Sequence, residues 1–548
     1  MPIRDLSDIL REIAGREAIE ALAISLRSQP RARLHVAPAI GAARAPITAA
    51  LAALHSGPLL YVVQTSDAAL RAHDDMAQWL GEERVLLFPA ADALPYEHMS
   101  PGPDVLAARL RVLRALADRR PATGGAASEE AQTPSIVIVA PVKALTQPTL
   151  TPEEHRYASV TLQRGDEISP DELVTRLIHL GYRTAPTVEE PGEINRRGGI
   201  LDIFPPGDDM PLRIEFFGDE VDSLRRFDPV TQRSEAQVRA ATIGPPHEFP
   251  LWRRAEALAR IQAIDVSGLR REALEEWQAA VARLEQGERF EGRALFAPFF
   301  REPAPDSDGG AAHSSLLAHL PAGAVIVLNE ATVLAQHAAD LDQQAETRRA
   351  AQVESGELPR AFPRPYMRWD ELVAQTGHLA LVNLSNNEVV AGIHRTAGLA
   401  EPLVGHHLPP SLFQPAELFG GQLRRMVEDV VERLRAGERV AGVTAQAARI
   451  DELVREALAP EGERRPTADR RAPSTGGGAE ANPAETPAAD EADLAGGRWT
   501  AIHGFIDEGF RSPDLNLTVY TDTEIFGWRN RRLLRERRRK RDRSAEER

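Results

Sequence analysis

Short runs of apolar residues, separated by helical stretches, constrain this chain most. Leu59–Thr65 (LLYVVQT), Arg84–Pro89 (RVLLFP) and Ser135–Ala140 (SIVIVA) read as strands. The last is apolar throughout, as a strand covered on both faces of a parallel sheet is. Helical stretches intervene at Ser66–Leu80 and at Pro103–Leu116, where Val105, Leu106, Leu110, Leu113 and Leu116 recur at helical spacing. Strands and helices in alternation predict an α/β layer fold.

Beyond residue 149 the pattern changes. Ser169-Pro170-Asp171-Glu172 predicts a helix start with a capping box, and Gly181 a helix end. Gly199–Phe204 and Leu212–Phe217 read as strands, and Gly218-Asp219 turns the second into Glu220–Phe227 as a hairpin. This is a compact α+β unit. Ala255–Gln286 is largely helical, Ala324–Leu328 is a buried strand, and a polar helix follows Glu330. A further α/β unit runs from about Pro359, with strand Leu379–Leu384, helix Gln422–Leu434 and strand Arg439–Thr444; it resumes at Thr500–Ile506 and Asn516–Tyr520. Arg119–Ser135 and Glu302–Ser314 read as surface loops. Ala459–Gly497, nearly free of large apolar residues, reads as disordered.

Composition removes whole classes of chemistry. With 548 residues the chain holds several domains, and 43% hydrophobic and 27% charged residues make an ordinary globular mix. Cysteine is absent, which excludes disulfides, thiolate metal sites and cysteine nucleophiles. Lys143 and Lys540 are the sole lysines and neither follows a glycine, so no G-x-x-x-x-G-K-[ST] phosphate loop exists. The formal charge is −16; Arg529–Arg548 carries eleven basic and four acidic residues, leaving −23 on the rest. So acidic a body is a poor general phosphate binder. No apolar run approaches the ~18 residues of a membrane span, and the start lacks a signal pattern. A cytoplasmic location without membrane contact is expected.

Where a nucleotide loop would sit, the chain reads Val36-Ala-Pro-Ala-Ile-Gly41-Ala-Ala-Arg-Ala-Pro-Ile-Thr48, with one glycine and no lysine. The strand that would carry the magnesium-holding aspartate ends in Asn329-Glu330; asparagine is a neutral, weaker ligand. Gly41, Thr48, Asn329 and Glu330 therefore mark a degenerate nucleotide site, and neither a cofactor nor a metal is expected. The D-E-A-D string at Asp490–Asp493 has no apolar strand before it and reads as coincidence. Arg183 and the Arg196-Arg197 pair bracket the acidic loop Glu189–Glu193. That arrangement suits either solvated arginines balancing the loop or an arginine-centred docking surface with Tyr182 or Phe204 as apolar contact. The basic Arg529–Arg548 reads as a linker helix, or as a contact to nucleic acid or another acidic surface.

Five ordered strings together resemble one family, the bacterial transcription-repair coupling factors: LLFPAADALPYEHMSP (86–101), IVIVAPVKALTQ (136–147), GYRTAPTVEEPGEINRRGGILDIFP (181–205), LRIEFFGDEVDSLRRFDPVTQRS (212–234) and VYTDTEIFG (519–527). The middle strings also resemble the excinuclease component UvrB, which shares the N-terminal modules but keeps a working phosphate loop and an acidic pair. The resemblance implies a multidomain, degenerate helicase-like α/β fold. Its expected divisions are an N-terminal helix (1–25), a helicase-like domain in two parts (26–148 and 246–355) and an inserted α+β domain (149–245) that contacts the excinuclease component UvrA. A third α/β domain (356–528, with the 459–497 insert) and a basic linker helix (529–548) follow. It also implies that Arg183, Arg197 and Phe204 form the partner-binding site; Arg196 stands where the family usually has another residue. The family's chain continues into a polymerase-binding domain, a DNA translocase and an autoinhibitory domain, whereas this sequence stops at the basic helix. RNA polymerase and DNA are thus expected as partners only through domains missing here. The expectation is a non-catalytic adaptor recruiting the excinuclease UvrA to stalled polymerase. The alternatives are an ATP-dependent helicase or UvrB-type repair protein, and a DNA-binding protein acting through the basic tail.

Overall fold

A strand apolar on both sides needs a layer on each, and the chain supplies both. In the computed structural model, which describes residues 3–91, 94–97, 102–119, 134–301, 314–459 and 498–527, the apolar runs join one seven-stranded parallel sheet. Its spatial order is Val404–His407, Arg33–Ala37, Ala380–Leu384, Val325–Asn329, Leu59–Val63, Val137–Pro141, Val85–Leu87. Alternate residues of each strand feed separate cores. Tyr61, Val63, Val139, Val327 and Val382 meet helices Leu6–Ala14, Glu17–Ser28, Gly41–Leu54 and Ser66–Leu80 on one side. Leu60, Val62, Ile138, Ile326 and Leu381 meet Pro103–Ala117 and Ala331–Glu354 on the other. The expected α/β class with a parallel sheet is what the chain adopts.

One assignment changes. The sequence puts Leu379–Leu384 in the third unit, but strand Ala380–Leu384 lies inside the first sheet, paired in parallel with Arg33–Ala37 and Val325–Asn329. A break at 356 therefore cuts across a continuous sheet. The reason is a polar joint that local pattern does not reveal. Buried Asn383 donates from Nδ2 to His35 Nδ1 (2.9 Å) and accepts at Oδ1 from the Ala331 amide (2.8 Å). His35 Nε2 in turn bonds the Asn387 carbonyl at 2.7 Å.

The third unit is a five-stranded sheet ordered Gln414–Pro415, Phe510–Ser512, Leu517–Thr521, Arg439–Thr444, Trp499–His503. One face carries helices Leu423–Arg435 and Ala447–Leu458; the other sends Val443, Phe510 and Val519 into the first sheet's core. Arg439 binds Glu12 of the first helix with both terminal nitrogens (2.8 and 2.6 Å).

The insertion leaves and returns through an antiparallel pair, Val160–Gln163 with Ala240–Ile243. Beyond this neck lies a six-stranded sheet ordered Ser234–Val238, Glu220–Phe227, Leu212–Phe217, Ile200–Ile203, Glu193–Arg197, Arg183–Thr184. Helix Pro170–Leu180 buries Leu173 and Leu177 against its inner face. Gly181 ends that helix in the left-handed conformation (φ +108°). The expected capping box is not formed: Ser169 makes no side-chain cap bond. Asp208 mounts the insertion on the first unit, since its buried carboxylate meets Arg226 (2.6 Å) of the insertion and Arg114 of helix Pro103–Ala117. Most of the loops expected at 119–135 and 302–314, the 459–497 insert, the D-E-A-D string and the 529–548 tail lie outside the described residues.

Replacing Asn383 by leucine keeps the volume but leaves the Ala331 amide and His35 Nδ1 without their partner. Leaving buried donors and acceptors unpaired costs about 2–4 kcal/mol here. Urea unfolding of Asn383→Leu is expected to show that loss as a lower midpoint.

Candidate functional site

The first candidate is the degenerate nucleotide position. Helix Gly41–Leu54 follows strand Arg33–Ala37 where a phosphate loop would lie, and Gly41 and Asn329 line one small cavity with Arg44, Asp75, Asp507 and Glu508. The chain's own side chains reach into this place. A Cβ on residue 41 would sit 2.6 Å from Glu508 Oε2, so a carboxylate already occupies the helix start that a phosphate would favour.

Arg44 is committed as well. It donates to the Ala39 carbonyl (3.1 Å) and to Asn329 Oδ1, and it pairs with Glu330. Glu330 also accepts from Ser385 Oγ (2.7 Å) and the Asn386 amide (2.9 Å), which hold its left-handed backbone (φ +63°). Asn329 donates to the Tyr61 hydroxyl at 3.0 Å. Thr48 does not reach the cavity; it is buried and its hydroxyl bonds the Arg44 carbonyl at 2.8 Å. Burial, then the charges of Asp507 and Glu508, push the Asp75 carboxyl up to about 8. Three acidic side chains on one small cavity, Asp75, Asp507 and Glu508, repel a triphosphate. These residues do not fit a nucleotide with its magnesium ion.

The second candidate is the outer face of the inserted sheet. Arg183 is registered with Glu193, and Glu193, Asn195 and Arg197 alternate onto one face. Arg197 faces Ile200, which faces Glu215, and Phe217 lies two residues further along that strand. Arg183, Arg197, Ile200 and Phe217 thus share a side, opposite the helix. Arg183 is exposed and reaches Glu190 (2.6 Å) and Glu193 (2.9 Å). Glu193 holds the acidic loop by accepting from the amides of Glu189 (2.9 Å) and Glu190 (2.8 Å). Arg197, also exposed, donates to the Pro186 carbonyl.

Phe204, expected as an apolar contact, is only 7% exposed and packs with Val188 and Phe227. Its backbone bonds Gly192 and Glu193 (2.7 and 3.0 Å), so it shapes the acidic loop from beneath. Tyr182 is also buried, its hydroxyl on the Gly244 carbonyl at 2.7 Å. Arg196 turns to Asp171 of helix Pro170–Leu180. The apolar surface comes instead from Phe217, 83% exposed, and Ile200, 38% exposed. Sequence reasoning passed over both. The signal was the Phe216-Phe217 pair, because adjacent strand residues point to opposite faces and one ring must leave the core.

Residues 160–249 match the UvrB interaction domain family. The match spans the neck and the whole sheet. Across a longer stretch, the chain is 32% identical to the transcription-repair-coupling factor of Escherichia coli over 288 residues, which is 52% of this chain and 23% of that protein. The Bacillus subtilis factor is 34% identical over 229 residues, 42% of this chain and 18% of its own length. The UvrABC system protein B of Ralstonia nicotianae is 28% identical over 347 residues, 60% of this chain and 48% of that protein. The resemblance to coupling factors is therefore shown over about half of the chain, which spans about a fifth of the length of those relatives. Among the described residues no helix is long and apolar enough to cross a membrane.

Two outcomes are expected for the nucleotide position. Millimolar ATP with magnesium leaves the melting temperature unchanged by scanning fluorimetry. The Asp75 carboxyl titrates near 8 when folded against an ordinary 3.8, so the folded state holds an extra proton between those values. Its contribution to stability is present at low pH and lost as pH rises through about 8. Melting temperature followed across that window should fall less steeply for Asp75→Asn than for the native chain.

Proposed function

We propose that the chain is a non-catalytic adaptor of transcription-coupled nucleotide excision repair, docking the excinuclease UvrA on the outer face of its inserted sheet. The carrying observation is that the segment matching the UvrB interaction domain displays two exposed arginines beside two exposed apolar side chains. Arginine and aromatic anchors on a rigid sheet are the residue types that concentrate binding energy. In this reading Arg183 and Arg197 meet acidic groups of UvrA, Phe217 and Ile200 supply the apolar contact, and Phe204 positions the loop. The coupling factors give the adaptor its setting: UvrA is brought to a stalled RNA polymerase. In this reading the closed nucleotide position makes the chain a scaffold rather than a motor.

Titration calorimetry of purified UvrA into the whole chain tests this. Binding is expected for the native chain, with at least a ~10-fold loss for Arg183→Glu/Arg197→Glu, about 1.4 kcal/mol or more. Phe217→Ser is expected to weaken it as well, without loss of stability, since the ring touches solvent. Undiminished binding by the double variant would overturn the docking surface.

A further inference from the structure

A second feature lies away from both candidates. Between the first sheet and the helical segment after the insertion is a cavity walled by the rings of Tyr96, Phe249, Phe290, Phe362 and Tyr366. Arg289, Arg293 and Arg301 reach the same cavity. Among the described residues none of the three makes an ion pair with a carboxylate.

Arg301 is 8% exposed; it donates to the Pro148 carbonyl at 3.0 Å, and its buried Nε has no partner. The carboxylates whose charge it feels are engaged elsewhere. Glu248 is bonded by Arg109 Nε (2.9 and 2.7 Å) and by Thr149 (2.9 Å), and Glu154 closes a capping box at Thr151. Arg293 lies 3.1 Å from His247 Nε2, with its guanidinium 5.8 Å from the Phe249 ring centre. Burial, then the neighbouring arginines, push the His247 pKa down to about 3, so this neighbour is neutral and offers no charge. Burial also draws Arg293 and Arg301 down to about 10.

Partly desolvated cations without carboxylate partners are costly. A guanidinium in that situation is completed by an anion, which it takes in a planar, two-toothed way. Rings that line a concavity with a few convergent polar groups describe a small-molecule site. The volume, about 230 Å³, restricts the occupant to one or two rings.

We propose that this cavity binds a small planar anion, its ring against the aromatic walls and its phosphate or carboxylate on Arg293 and Arg301. Arg289, exposed at the mouth, draws the anion in. The inference is independent of the adaptor reading.

Titration calorimetry of the whole chain with 1-naphthyl phosphate, 1-naphthoate and neutral 1-naphthol tests it. One saturable site is expected for at least one of the two anions, with naphthol weaker by about tenfold or more. The carboxylate and phosphate arms identify which group the arginines prefer. Arg293→Gln should weaken the anion about tenfold and Arg289→Gln less, both with unchanged circular dichroism, while Arg183→Glu leaves it intact. Arg293 is partly exposed, so its variant avoids the folding defect expected at Arg301. Naphthol bound as tightly as the anions, an unaffected Arg293→Gln, or no saturable heat from either anion at millimolar concentration would each overturn the proposal.

Discussion

Everything else in the molecule hangs on a parallel sheet that must be covered on both faces. Its strands are apolar on alternate sides, and each side has its own core. That requirement draws in Ala380–Leu384 from far along the chain, and Asn383 fixes it there by bonding His35 and the start of helix Ala331–Glu354. It also lets the third unit share the first core through Val443, Phe510 and Val519. The insertion has its own small core and rests on the body through Asp208 and its two arginines.

The two candidate places differ in what the chain does with its charges. At the nucleotide position Glu508 covers the helix start and Arg44 is spent on Asn329 and Glu330. On the inserted sheet Arg183 and Arg197 stay at the surface, Arg183 on exposed Glu190 and on the buried Glu193 carboxylate, Arg197 on the Pro186 carbonyl.

Much of this was legible in the sequence, and the misses have physical causes. Ser66–Leu80, Leu212–Phe217, Glu220–Phe227 and Arg439–Thr444 fall where periodicity and turn chemistry put them. The membership of Ala380–Leu384 was not legible, because apolar strands look alike whichever sheet they join, and the deciding bonds of Asn383 span the chain. The burial of Phe204 was not legible because Val188 and Phe227, which cover it, come from other segments of the insertion. Phe217 and Ile200 were legible in principle from strand alternation. Glu508, the residue that closes the nucleotide position, carries no local signal; only the fold brings it to Gly41.

The inserted sheet's outer face is the proposed place where the chain meets the excinuclease UvrA. Hydrogen exchange of the whole chain, alone and saturated with UvrA, reads this most directly. Slower exchange is predicted in the loop Glu189–Glu193 and in strands Glu193–Arg197, Ile200–Ile203 and Leu212–Phe217, with the five-stranded sheet unchanged. Protection confined to the third unit or to the first sheet, with the insertion unaltered, would contradict it.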